Sequence, residues 1–277
     1  MGMTETIQTA FDRLASDLRN IVQDHPIVFL LSPGNWGDSI IREGAEQFFL
    51  HYGFKYHTVI AKDVMKKRTT MEAEIAKSGH PAPVVVCNGN GAFCGHYDTP
   101  QITAQLTQHF QTAVMLPSTI DMDLSQLTFA PEMHFFVRDR FESQAQLPDA
   151  PFCHDMAFFL KLVAPEPRKE VGYFLRQDRE APKGLVVPRG NFDVSKKGRI
   201  YTPIQGFVDA ISPYKTVHTN RLHIGIVATL LGRETYIYAN DYFKIRAIFD
   251  SSISPFFPNA TFNTVFVPPK VRKRFFS

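Results

Sequence analysis

The sequence predicts an α/β protein made of two Rossmann-like halves with a cleft between them. Three features carry that reading. Short β-branched runs alternate with helix-period stretches along the chain, the pattern of βαβ units and parallel sheet. The alternation breaks once, at KLVAPEPRKE from Lys161, where proline and charge read as a linker. Glycines, amides and basic residues gather where strands give way to helices, the edge at which open α/β sheets bind ligands. The expected halves are 1–165 and 166–277.

The elements follow in order. Glu5 to Val22 has helical spacing, with Ile7, Phe11, Leu14, Leu18 and Ile21 on one face. IVFLLS, from Ile27, is short and apolar, as a buried strand is. The turn GNWGD follows, and Ile40, Ile41, Ala45, Phe48 and Phe49 mark a helix stripe. KYHTVI from Lys55 is a strand, MEAEIAKS from Met71 a helix, and PVVVCNG from Pro83 a strand ending in a glycine-rich turn. ITAQLTQHF from Ile102 is a helix; TAVMLPST from Thr112 and HFFVRD from His134 are strands. Past the linker, VGYFLRQD from Val171 is a strand, and RGNFDVSKKGRIYTP from Arg189 a polar loop expected to be mobile. A helix from about Pro203 to Ser212, the strand KTVHT, the helix RLHIGIVATLL and the strand TYIYA come next. A last helix is expected to start at Asn240.

Composition narrows the function. The 277 residues fit one large domain or two modest ones, and such a chain can bury a sizeable core. A net charge of +3 makes a weak overall field and gives no sign of a nucleic-acid partner. Three cysteines, Cys87, Cys94 and Cys153, are too few for a disulfide scaffold and suit a reducing compartment. No apolar run approaches the roughly 20 residues of a membrane span. The N-terminal stretch lacks the apolar core of a secretory signal, and Gly2 fits a myristoylation pattern only loosely. The expected location is cytoplasmic. The basic tail VPPKVRKRFFS, from Val267, could touch the inner face of an anionic membrane, although a frayed, solvated terminus has the same composition.

Several junctions are candidates for chemistry. In GNWGD, Gly34 and Gly37 allow close backbone approach to a ligand, Asn35 and Asp38 add polar groups, and amides at the helix start face an anion. A plain turn with an N-terminal carboxylate has the same residues. In VHTNRLHIGIVATLLG, Thr219 or Asn220 can cap the helix, and Arg221 and His223 fall in its first turn. Two cationic or protonatable groups are unfavourable there unless an anion is present. Asn240 and Lys244 stand after the next strand, with Arg246 read as surface charge. Arg138 and Arg176 stand at two other strand ends. Cys87, Cys94, His96 and Asp98 fit no zinc spacing, so no metal is expected. His154 beside Asp155 could form a dyad, but apolar flanks suggest a strand edge. Nucleophile-elbow, Walker and dinucleotide fingerprints are absent from the sequence.

GNWGDSII, the VRD and FLR strand ends, and HTNRLHIGIVATLLGRETYIYANDYFKIRAIF together resemble the polysaccharide pyruvyltransferase family, from about Ser32 to Ser252. In that family a GN-x-GD turn opens the first half, and a T-x-RLH helix and an N-Y-x-K-like segment mark the second. This chain has Asn88-Gly89-Asn90-Gly91 where the family commonly shows a glycine run. Its last segment is altered to Asn240-Asp241-Tyr242-Phe243-Lys244.

The resemblance implies a GT-B-like arrangement of the halves. It implies transfer of a pyruvyl group from phosphoenolpyruvate to a sugar of a bacterial exopolysaccharide or cell-surface glycan precursor. A pyruvate ketal forms and phosphate leaves. Phosphoenolpyruvate is then the donor, a glycan or lipid-linked oligosaccharide the acceptor, and no cofactor or metal is required. Bidentate contacts from Arg221, with Arg138 or Arg176, suit the donor's two anionic groups. His223 suits the general acid and Asp38 a base, although Asp38 could equally orient the backbone or bind acceptor hydroxyls. Gly34, Asn35, Gly37, Asn240 and Lys244 would complete substrate binding. A nucleotide-sugar glycosyltransferase of the GT-B kind and a non-catalytic partner in a glycan-synthesis complex are the alternatives.

Overall fold

The computed structural model describes residues 6–178 and 180–268. Gly2 and most of the basic tail lie outside them. The first half contains α1 (Ile7–Val22), β1 (Ile27–Leu31), α2 (Trp36–Tyr52), β2 (Tyr56–Ile60), α3 (Ala61–Met65), α4 (Met71–Lys77) and β3 (Val84–Cys87). It continues with β4 (Phe93–Cys94), α5 (Thr99–Thr107), β5 (Thr112–Ser118), β6 (Ile120–Asp121), β7 (Glu132–Val137) and α6 (Glu142–Gln146). Five strands form a parallel sheet in the order β2-β1-β3-β5-β7. The order reverses at β1, so the carboxyl ends of β1 and β3 flank a switch point, where doubly wound sheets hold ligands. Every residue of β1 is buried. Ile27, Phe29 and Leu31 enter one core, Val28 and Leu30 another, as a strand covered on both faces requires.

A 3₁₀ turn at Met156–Phe159 precedes the second half. There β8 (Lys169–Phe174), α7 (Gln205–Ile211), β9 (Tyr214–Thr219), α8 (Leu222–Leu230), β10 (Glu234–Tyr238), α9 (Lys244–Ile248) and β11 (Ala260–Asn263) alternate. The four strands are parallel, in the order β11-β10-β9-β8. A short third sheet pairs β4 with β6, also parallel. The protein is thus an α/β fold built on two larger parallel sheets, and residues 161–168 between them carry no regular structure. One core nevertheless runs between the sheets. It joins Phe29 and Val86 of the first to Val217 and Ile237 of the second through Phe48 of α2 and Ile224 of α8.

Three expectations are corrected. The segment from Arg189 is not a free loop. Val194 and Ile200 are buried in it, Arg199 bridges Asn35, and Ile200 N–H donates to Gly34 O at 3.2 Å. Trp36 holds this region too: Nε1 donates to Pro203 O at 3.0 Å, and its ring meets Phe207 edge-on at 5.8 Å. Neither Thr219 nor Asn220 caps α8. Arg221 holds the N-cap position, and α8 has no side-chain cap. Thr219 Oγ1 instead accepts from Arg221 N, and Asn220 Oδ1 from Arg176 N. The last helix starts at Lys244, not Asn240. With its amide turned to satisfy its neighbours, Asn240 Oδ1 accepts from Arg176 Nη1 at 2.7 Å and its amino group donates to Asn220 O. The apolar flank of His154 and Asp155 does meet a strand, at the Phe152–Val137 bridge, and the two residues form no dyad. His154 Nδ1 pairs with Ser252 Oγ at 2.8 Å among Phe11, Phe152 and Phe256, while Asp155 serves other partners. Five elements, α3, β4, β6, α6 and β11, had no counterpart in the sequence reading.

Candidate active site

A cavity of about 560 Å³ lies where the carboxyl ends of the two sheets meet. Its wall takes Asp38 from the start of α2, Arg138 from the end of β7, Arg176 from the end of β8, His223 from α8 and Lys244 from α9. Gly34, Asn35, Arg221 and Asn240 line it as well. Gly37 stands just behind: a Cβ there would lie 3.0 Å from His223 Nδ1, so the glycine lets the histidine approach α2. The structure therefore brings every expected site residue to one place.

The opening turn has a local task. Asn35 Oδ1 accepts from Gly37 N at 2.7 Å, and Asp38 Oδ2 accepts from Asn35 N at 2.7 Å. That reciprocal pair caps α2. It commits one carboxylate oxygen of Asp38 and leaves Oδ1 without a hydrogen bond among the described residues.

The arginines are engaged to different degrees. Arg176 is fully committed: Nε and Nη2 donate to Asp178, and Nη1 donates to Glu180 Oε2 at 2.5 Å and to Asn240. Arg221 is bidentate on Asp193, at 2.9 and 2.6 Å, and reaches Asp178 at 2.7 Å. Arg138 is 1% exposed; it donates from Nε to Thr119 and from Nη1 to Asp155. Among the described residues, Arg221 Nη1 and Arg138 Nη2 make no hydrogen bond. Arg138 Nη2 and Lys244 both press on Gly91, where a Cβ would lie 2.5 Å from Nη2 and 2.9 Å from Lys244 Cδ. Gly91 thus admits both cations by lacking a side chain.

Charge interactions shift several of these groups. Burial alone would raise Asp178 and Glu180. Arg176 holds Asp178 down at about 2, with help from Arg221. Lys244 and Arg176 hold Glu180 down at about 2. Asp155 is wholly buried, yet Arg138 and His223 keep it well below the carboxylate range. Burial lowers Lys244 to about 8, with Arg138 and Arg176 opposing its charge and Glu180 supporting it. Burial also raises the Tyr242 hydroxyl, which has no hydrogen-bond partner among the described residues.

Sequence reading missed the acidic members, Asp155, Asp178, Glu180 and Asp193. Asp178 and Glu180 were visible as charges beside Arg176 in RQDRE, a local ion-pair pattern. Asp155 was noted only as a neighbour of His154. Asp193 lies in the segment read as a loose loop, and Tyr97 reaches Glu180 from the other half. Cys87, Cys94 and Cys153 are buried, and burial pushes the Cys87 thiol up to about 12. No group of three or more metal-ligating side chains occurs among the described residues, and no described helix is long and apolar enough to cross a membrane.

Two parallel sheets with a charged cavity at their carboxyl edges define a cleft-bearing α/β protein. No family model matches the chain, and a search of curated proteins finds no match. Among solved structures, it is similar to an uncharacterized protein of Klebsiella pneumoniae. The identity is 22% and the TM-score 0.73, covering 95% of this chain and 100% of the other. At that identity the likeness shows the fold alone.

Proposed function

We propose that the protein is a pyruvyltransferase of the polysaccharide pyruvyltransferase kind, with its two sheets in a GT-B-like arrangement and phosphoenolpyruvate as donor. The observation that carries this reading is the set of unused donors on one cavity. Arg138 Nη2 and Arg221 Nη1 have no partner among the described residues, Lys244 lies beside them, and α8 opens without a side-chain cap. A small ligand with two anionic groups suits that set. Arg176 differs from the expectation: with each of its three nitrogens bonded to a protein group, it holds the wall rather than the ligand.

The chemistry then uses His223 beside this anion site. His223 gives a proton to the methylene carbon of phosphoenolpyruvate, making the neighbouring carbon electrophilic. A sugar hydroxyl attacks that carbon and loses its proton to a base, for which Asp38 Oδ1 is open. Phosphate leaves with the electrons of its C–O bond. A second hydroxyl adds to the resulting oxocarbenium carbon, gives its proton back to His223 and closes the ketal, while the proton taken by Asp38 passes to the departing phosphate. The products are a ketal and inorganic phosphate, so atoms and charge balance without an oxidant or a metal.

The test is incubation with phosphoenolpyruvate and a panel of β-galactoside, glucoside and N-acetylmannosamine acceptors. Mass spectrometry should find the ketal product, released phosphate should match it, and His223→Ala should abolish both. Calorimetry with phosphoenolpyruvate alone decides the donor. If wild type binds it no better than Arg221→Ala, the donor assignment falls. Nucleotide-sugar binding would then favour the glycosyltransferase reading, and binding of neither the non-catalytic one.

A further inference from the structure

The buried carboxylate that no sequence motif marked has the most consequential position in the cavity wall. Asp155 is 0% exposed and sits at the N-cap of the 3₁₀ turn, where Oδ1 accepts from Ala157 N at 2.9 Å. That bond fixes the carboxylate plane. Oδ2 then faces two nitrogen-bearing side chains, one from each half. Arg138 Nη1 donates to it from the end of β7, and His223 Nε2 approaches it to 3.5 Å from α8. His223 Nε2 is buried and makes no close hydrogen bond. A buried ring nitrogen turned towards a fixed carboxylate is stable only as a donor, because a lone pair there would face negative charge. The other nitrogen, Nδ1, lies beside Gly37, and the ring as a whole lines the cavity.

We propose that Asp155 is a positioning residue, which holds His223 with its Nε2 proton turned inward and presents Nδ1 to the cavity as the atom that exchanges protons. In the pyruvyl-transfer reading, on which its catalytic meaning rests, the proton given to the donor's methylene carbon leaves from Nδ1. Asp155 also places its carboxylate against both Arg138 and the ring of His223. The other charged groups around the ring belong to the cavity. Asp38 follows Gly37 on α2, and Lys244 comes from α9. Arg221 precedes His223 by two residues and is neutralised by Asp193 and Asp178. Removing Asp155 leaves Arg138 unpaired and facing the histidine.

The experiment is nitrogen-15 NMR on protein labelled at its ten histidines, with His223 assigned by the signal lost in His223→Gln. In the neutral ring of the wild type, the proton should sit on Nε2 and the lone pair on Nδ1; the reverse tautomer overturns the proposal without any variant of Asp155. In Asp155→Asn, which keeps the shape and removes the carboxylate, the neutral ring should lose its preference for the Nε2 proton, and the two ring-nitrogen shifts should move towards a mixture of tautomers. An unchanged tautomer in the variant overturns the positioning role. Turnover is a separate readout. The variant should lower kcat at least about tenfold with KM little changed, as loss of proton transfer rather than of binding requires. If the NMR result holds and no transfer occurs with any acceptor, the transferase reading falls and the Asp155–His223 arrangement stands. If transfer occurs but the tautomer does not change in the variant, the reverse holds.

Discussion

Replacing Arg176 by methionine tests whether the cavity wall is held by charge. The guanidinium donates to Asp178 Oδ1 at 2.8 Å, to Asp178 Oδ2 at 3.3 Å and to Glu180 Oε2 at 2.5 Å. Arg176→Met keeps much of the volume and strands two carboxylates. Breaking a buried ion pair from one side costs about 3–5 kcal/mol, because the remaining charge stays buried. Here the loss belongs at the lower end, about 3 kcal/mol. Glu180 retains Lys244 at 3.6 Å, Asp178 retains Arg221 at 2.7 Å, and the Asp178 side chain is 29% exposed. In a chain of this size that lowers Tm by roughly 6–12 °C.

The sign with pH follows from the two carboxyls. Both are held at about 2 in the fold, against ordinary values of 3.8 and 4.5. As pH falls, the unfolded chain takes up these protons first. The stabilisation is therefore fully present above about pH 4.5 and is lost as pH falls towards 2. Without Arg176 the carboxyls titrate higher, so the variant's deficit should shrink in acid. Urea unfolding followed by circular dichroism, at about pH 7 and about pH 3.5, measures both quantities. A deficit below about 1 kcal/mol near neutrality would refute the reasoning, since that is the scale of an exposed pair. So would a deficit of equal size at both pH values.

Two further outcomes are expected. Lys244, held at about 8, carries its charge below that pH and loses it above, so phosphoenolpyruvate affinity should weaken as pH rises through about 8. Lys244→Arg should move the weakening to higher pH, and calorimetry across the range would expose a flat profile as a failure. Trp36 is the chain's one tryptophan and packs against Phe207 and the segment carrying Asp193. Trp36→Ala should cost about 3 kcal/mol, while Trp36→Phe should cost less and lose only the hydrogen bond to Pro203; a negligible cost for alanine would remove Trp36 from the joint.

The regular elements were legible because their causes are local. The apolar run at Ile27, the stripe through Ile40 and Phe48 and the strand at Tyr214–Thr219 each follow from a period and a length. The basic residues at strand ends were legible for a related reason. Parallel topology brings every strand's carboxyl end to one edge, so Arg138, Arg176, Arg221 and Lys244 had to lie near one another. Which of them stay open to a ligand was not legible. Arg176 and Arg221 look alike in the chain, yet one has each nitrogen bonded to a protein group and the other keeps Nη1. That difference depends on Asp178, Glu180 and Asp193, and on where the segment from Arg189 folds back. Asp155 meets Arg138 and His223 across 17 and 68 positions of sequence, and only packing of α8 against the first half brings the three together. Periodicity reports which face of an element is buried, because burial repeats with the backbone. The pairing of buried charges has no period: it is set by distances between elements, and those exist only once the core between the two sheets has closed.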